Sequence, residues 1–125
     1  MTDAAESARR YADAELAIAG RERLLLLVLD AGERQLQLTR EALVAGDLAG
    51  FGIHLARAQA VIAELRCTLD LAAGPLADDL AGLYAFMLFH LTAANVEQSL
   101  RRVDEVRDVF TTIADGYRIV LARGL

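Results

Sequence analysis

The chain has 125 residues, net charge −5 at neutral pH and 55% hydrophobic residues, which bounds it to one domain with a real core and excludes a disordered polyelectrolyte. Its 24 Ala and 22 Leu stand against one Pro, eight Val, five Ile and no Trp, too few β-branched and turn residues for a sandwich or barrel. All 13 basic residues are Arg and are scattered along an acidic chain, an arrangement that disfavours nucleic acid.

The N-terminal stretch MTDAAESARRYADAE carries Asp3 and Glu6 and lacks an apolar centre, unlike a secretory signal. Residues 1–20 read as an N-terminal arm ending at Gly20. Residues 21–125 then divide into four helical segments of roughly 21–45, 48–72, 76–95 and 99–122. Ala45-Gly46-Asp47, Ala73-Gly74-Pro75 and Asn95 to Ser99 supply the breaks, and Asp47 and Ser99 stand where N-caps belong. Connections this short force neighbouring helices antiparallel. The expected fold is all-α: an antiparallel up-down four-helix bundle with an N-terminal arm or short helix packed on it.

Helix 21–45 opens with Leu24 to Leu29, apolar around its whole circumference and fenced by Arg23 and Asp30. Six residues are far short of the roughly 20 that span a membrane. Helix 48–72 repeats Phe51, Leu55, Ala58, Ile62, Leu65 and Leu69 at steps of four and three, the spacing of a packed seam. Helix 76–95 repeats Leu76, Leu80, Leu83, Met87, Leu91 and Ala94, and helix 99–122 repeats Val103, Val106, Phe110, Ile113, Tyr117 and Val120. Apolar surface is left over: Ile53, Val61, Tyr84, Phe86, Leu88 and Phe89 lie off the seams. The arm, a second copy or a client chain must cover it.

Side chains for chemistry are sparse. His54 and His90 lie on different helices without the Glu-x-x-His spacing of helical di-iron sites, so no metal is expected. Cys67 has no partner in the chain for a disulfide, which fits a reducing compartment. Asp78-Asp79 points about 100° apart on a helix, and in the turn after Pro75 it complements the helix dipole. Arg34, Arg40, Arg57 and Arg66 are the raw material for an Arg-lined pocket similar to that of small helical chorismate mutases, but the Lys of such sites is missing. No enzyme activity and no cofactor are expected.

Read in order, the breaks and their flanking residues resemble the flagellin export chaperone family, FliS, over roughly residues 11–120. Tyr11 precedes a helix opening Glu22-Arg23-Leu24-Leu25 with an acid at Asp30, and Ala45-Gly46-Asp47 is similar to the family's turn. Arg57-Ala58-Gln59-Ala60-Val61-Ile62-Ala63-Glu64-Leu65-Arg66 with Thr68-Leu69-Asp70 follows, then Leu83-Tyr84 with Met87-Leu88, then Ala94-Asn95. The sequence departs from the pattern at Gly20-Arg21, where the family has a Ser/Thr-Pro step, and at Leu29 and Ala31.

The resemblance implies a cytoplasmic chaperone that binds the disordered C-terminal segment of flagellin in apolar grooves, prevents premature polymerisation and keeps it competent for export. Other flagellar export proteins are further partners it suggests. On this reading Ala58, Ile62, Leu65, Leu69, Leu83, Tyr84, Met87 and Leu91 line the groove, and Leu25 and Leu29 form another client-covering face. These positions equally fit the core seam. Tyr11, Leu16 and Ile18 of the arm would cap apolar surface until the client displaces them. The alternative is a self-associating bundle whose surplus apolar surface closes a homodimer, with no flagellar role.

Overall fold

The computed structural model describes residues 2–70 and 74–123, with the side chain of Thr2 excepted. Four α-helices make up the described chain: α1 (Thr2–Ala45), α2 (Leu48–Cys67), α3 (Pro75–Glu97) and α4 (Leu100–Ala122). α2 ends at Cys67 with Thr68 as its C-cap, short of the expected end at residue 72; residue 72 itself and Ala73 of the second break lie outside the described residues.

The breaks form as local chemistry dictates. Gly46 adopts φ +76° and ends α1, and the Asp47 carboxylate accepts from the Gly50 amide at 3.0 Å to cap α2. A Cβ at Gly50 would require that carboxylate to shift. Gly74 at φ +106° leads into Pro75, the first residue of α3. Gln98 takes the left-handed conformation after α3, and the Ser99 hydroxyl accepts from the Arg102 amide at 3.3 Å to start α4.

Each helix packs against its neighbours in sequence, and α4 closes the ring against α1; the diagonal pairs do not meet. The polar links across the seams confirm that every neighbouring pair runs antiparallel. They join Gln35 to His54, Gln59 to Thr92, His90 to Arg102, and Arg40 to Asp104. The core between the helices comprises Leu29 and Leu36 of α1, Phe51, Leu55, Ala58, Ile62 and Leu65 of α2, Tyr84, Met87, Leu91 and Ala94 of α3, and Val103, Val106, Phe110 and Ala114 of α4.

Two expectations need correction. The α3 seam runs through Ala77 and Tyr84, whereas Leu76 and Leu83 are exposed. Steps of three and four allow either Leu83 or Tyr84 between Leu80 and Met87; the Tyr84 hydroxyl reaches that of Tyr117 at 3.3 Å, which settles it for the buried tyrosine. The second concerns the N-terminus. Residues before Gly20 do not fold back; they are the first turns of one continuous 44-residue α1, and Asp3 to Arg21 are all exposed. Gly20 has nothing within 4 Å of its would-be Cβ and sits in a run of strong helix formers. One glycine costs about 1 kcal/mol there and does not stop the helix.

Candidate functional site

The two tight, capped turns, at Gly46-Asp47 and Gln98-Ser99, close one end of the bundle. At the opposite end α1 continues past its neighbours, while α2 ends at Cys67, α3 begins at Pro75 and α4 ends at Ala122. Three clefts gather here. The largest, about 570 Å³, lies between α1, the end of α2 and α4 and is lined by Arg21, Leu24, Leu25, Val28, Glu64, Leu65, Thr68, Leu69, Asp70 and Tyr117. A second of about 370 Å³ lies between α3 and α4 and is lined by Leu76, Leu80, Thr112, Ile113, Gly116, Tyr117 and Val120. Tyr117 forms a wall of both. A third of about 410 Å³ lies between α1 and α4, where Leu26 and Leu121 face the Arg118 guanidinium and Asp30.

Tyr117 is half-buried and held from below by Tyr84. Burial, reinforced by this hydrogen bond, pushes the Tyr84 phenol well above its ordinary range. On the other side of α4, Arg118 donates to Glu33 at 2.8 Å, to Asp30 at 2.7 Å and to Asp115 at 3.1 Å. Those bonds, Glu33 first, raise its already high pKa against the opposing effect of desolvation. Arg107 with Gln37, and Arg40 with Asp104 at 2.8 Å, continue this ladder along the α1–α4 seam.

The ten expected partner-binding residues divide sharply. Ala58, Ile62, Leu65, Tyr84, Met87, Leu91 and Leu29 are 0–3% exposed and belong to the core. A seam of heptad-like spacing faces the bundle axis, and in a four-helix ring that axis is already filled. Leu25 and Leu69 line the largest cleft, and Leu83 is exposed on α3. Tyr11, Leu16 and Ile18 cap nothing; they stand on the projecting part of α1 at 69%, 71% and 54% exposure. Leu24, Val28, Leu80, Ile113 and Tyr117 join the cleft walls without having been singled out for it. The all-round apolar run at 24–29 signalled Leu24 and Val28, whereas Leu80, Ile113 and Tyr117 read as seam positions of their helices.

A separate apolar face runs down the outside of α3. No Asp, Glu, Arg or Lys occurs from Leu80 to Val96, and Phe86, Phe89 and Val96 are exposed. His90 lies against Phe86 with ring centres 4.1 Å apart and the planes tilted by 47°, and it accepts from Arg102 at 2.9 Å. His54 is instead bonded to Gln35 at 2.8 Å. Among the described residues no group of three His, Cys, Asp or Glu is placed to hold a metal, and no helix is long and apolar enough to cross a membrane. The four arginines of the imagined pocket do not converge: Arg40 pairs with Asp104, and Arg34, Arg57 and Arg66 are exposed.

Comparison with known proteins fits this architecture. The profile of the family described as "Flagellar protein FliS" matches residues 4–123. The chain belongs to the FliS family. The curated "Flagellar secretion chaperone FliSB" of Pseudomonas aeruginosa is 29% identical over 106 residues, covering 84% of each chain. A solved structure described as "Crystal structure of flagellar chaperone from bacteria" superposes with a TM-score of 0.73 at 20% identity, covering 82% of this chain and 85% of that one. That last likeness is one of fold. The FliS match extends to residue 4 and so includes the part of α1 that projects from the bundle.

Proposed function

We propose that this FliS-family chain is a chaperone for flagellin: it holds the disordered C-terminal segment of its client as helical pieces against the bundle and keeps it unassembled until export. The observation that carries the reading is the pair of apolar clefts, about 370 and 570 Å³, that meet at Tyr117 on the open end. Together they offer a path lined by Leu24, Leu25, Val28, Leu69, Leu76, Leu80, Ile113 and Val120. An apolar path of this kind suits an amphipathic helix laid in a groove, with anchors at steps of three and four. Ordering the client opposes binding and apolar burial offsets it, giving the moderate affinity a releasing chaperone needs.

The test is calorimetric titration with a peptide spanning the C-terminal segment of the host's flagellin. Saturable binding with a negative heat-capacity change and a gain of helical circular dichroism is expected. Absence of binding at high micromolar peptide would overturn the reading.

A further inference from the structure

We propose that the projecting part of α1 is itself a helix-docking surface, and that its occupant is an amphipathic α-helix of a different chain and not a second copy of this one. The inference rests on the chaperone reading and extends that site beyond the bundle.

Tyr11, Ile18 and Leu25 are spaced by seven residues and therefore share one face of α1. Leu25 packs against the core, and Gly32 and Thr39, the next positions at the same spacing, are buried. The face that α2 and α4 cover within the bundle thus continues outward as Tyr11 and Ile18 with no helix over it. The eighteen exposed residues from Asp3 to Gly20, at about 1.5 Å each, make an overhang of about 27 Å. It rises from the rim of the largest cleft, which Arg21, Leu24 and Leu25 line. A helix seated in that cleft and running outward lies along this stripe, completing the layer that the bundle leaves open.

The charges beside the stripe decide between a second copy and another chain. Glu15 and Glu22, each four residues after a stripe position, form one flank. Arg10 and Arg21, one before Tyr11 and three after Ile18, form the other. Arg10 makes an exposed i,i+4 contact with Glu6 at 3.6 Å, the one ion pair it has among the described residues. Two copies cannot pair their overhangs in parallel through this face, because each bundle sits on the stripe side of its own α1 and would collide with the other. Antiparallel pairing sets the Glu flank against the Glu flank and the Arg flank against the Arg flank, which is repulsive. A helix from another chain escapes this if it brings basic residues to Glu15 and Glu22 and acidic residues to Arg10 and Arg21.

The experiment titrates the C-terminal flagellin peptide into full-length wild type, Tyr11→Asp/Ile18→Asp and Leu16→Asp. Leu16 is just as exposed but lies about 200° round the helix from Ile18, on the opposite face. The double variant should keep the circular dichroism and Tm of wild type yet bind about tenfold or more weakly; Leu16→Asp should bind as wild type does. Equal binding by all three proteins overturns the docking surface while leaving the chaperone reading standing. Equal weakening by Leu16→Asp overturns the assignment to this face. If wild type fails to bind, the chaperone reading itself falls and takes this occupant with it. Sedimentation of the peptide-free protein supplies the remaining arm: a monomer is expected, and an oligomer that Tyr11→Asp/Ile18→Asp dissolves would make the occupant a second copy.

Discussion

The ring of Phe110 on α4 lies directly over the backbone of Gly32 on α1, so close that a Cβ at Gly32 would overlap it. Phe110 is buried, and Gly32 interrupts an otherwise apolar inward face between Leu29 and Leu36. The glycine weakens its helix by about 1 kcal/mol relative to alanine and in return lets the largest fully buried side chain of α4 reach the bundle centre. Gly32→Ala should therefore destabilise the protein by about 1–3 kcal/mol in urea unfolding, despite its better helix propensity. Phe110→Leu in the same chain should recover part of that loss, because the two sites share one contact. Unchanged or increased stability of the single variant would show that the ring can move aside freely.

Tyr84 predicts a response to alkali. Its folded-state pKa is raised, chiefly by burial and next by the Tyr117 hydroxyl. The unfolded chain therefore starts to lose this proton near pH 10, where the folded chain still holds it. Stability from this group is fully present below about pH 10 and falls as the pH rises past it. Tyr84→Phe should cost about 1 kcal/mol at neutral pH for the lost hydrogen bond, and its Tm should decline less than that of wild type between pH 9 and 11. Parallel declines would remove Tyr84 from the account.

Arg118 gives the opposite expectation. It bridges Asp30, Glu33 and Asp115, but its side chain is 31% exposed and that of Asp30 is 64% exposed. Exposed ion pairs contribute about 0.2–1 kcal/mol each and are screened by salt. Arg118→Ala should lower stability by about 1 kcal/mol in dilute buffer and by less in 1 M NaCl. A salt-independent loss would mean that packing of its aliphatic stem against α1 matters more than its charge.

Ile62 and Leu69 separate core from surface along one apolar repeat, the first inside α2 and the second two residues past its end at Cys67. Ile62 is fully buried, whereas Leu69 is half-buried in the largest cleft. Ile62→Asp places an unpaired carboxylate in the core and should cost about 4 kcal/mol or more, enough to threaten folding. Leu69→Asp should leave the Tm within a few degrees of wild type and abolish saturable binding of the flagellin peptide. Intact binding by folded Leu69→Asp would move the client away from this cleft.

Much of the bundle was legible from residue spacing. Steps of four and three picked out Phe51, Leu55, Ala58, Ile62 and Leu65, all of them buried, and the capping chemistry of Asp47 and Ser99 appears where it was expected. The same spacing misplaced Leu83 against Tyr84, since both steps are helical and only the hydroxyl contact with Tyr117 distinguishes them. It also could not separate groove from core. Ala58 and Leu69 obey one periodicity, yet one faces the filled axis and the other the open end.

What the sequence determined by itself is the helical content, the capped turns at Asp47 and Ser99 and most of the residues that each helix buries, because these follow from backbone propensity, caps and a 3.6-residue repeat. The tertiary structure alone decided how far each helix runs beside its neighbours. Gly20 reads locally as a boundary, but with no turn chemistry to redirect the chain α1 continues through it, past the ends of α2 and α4. That mismatch in length opens the clefts around Tyr117 and leaves Tyr11 and Ile18 uncovered, since an apolar stripe is buried only where another helix is long enough to reach it.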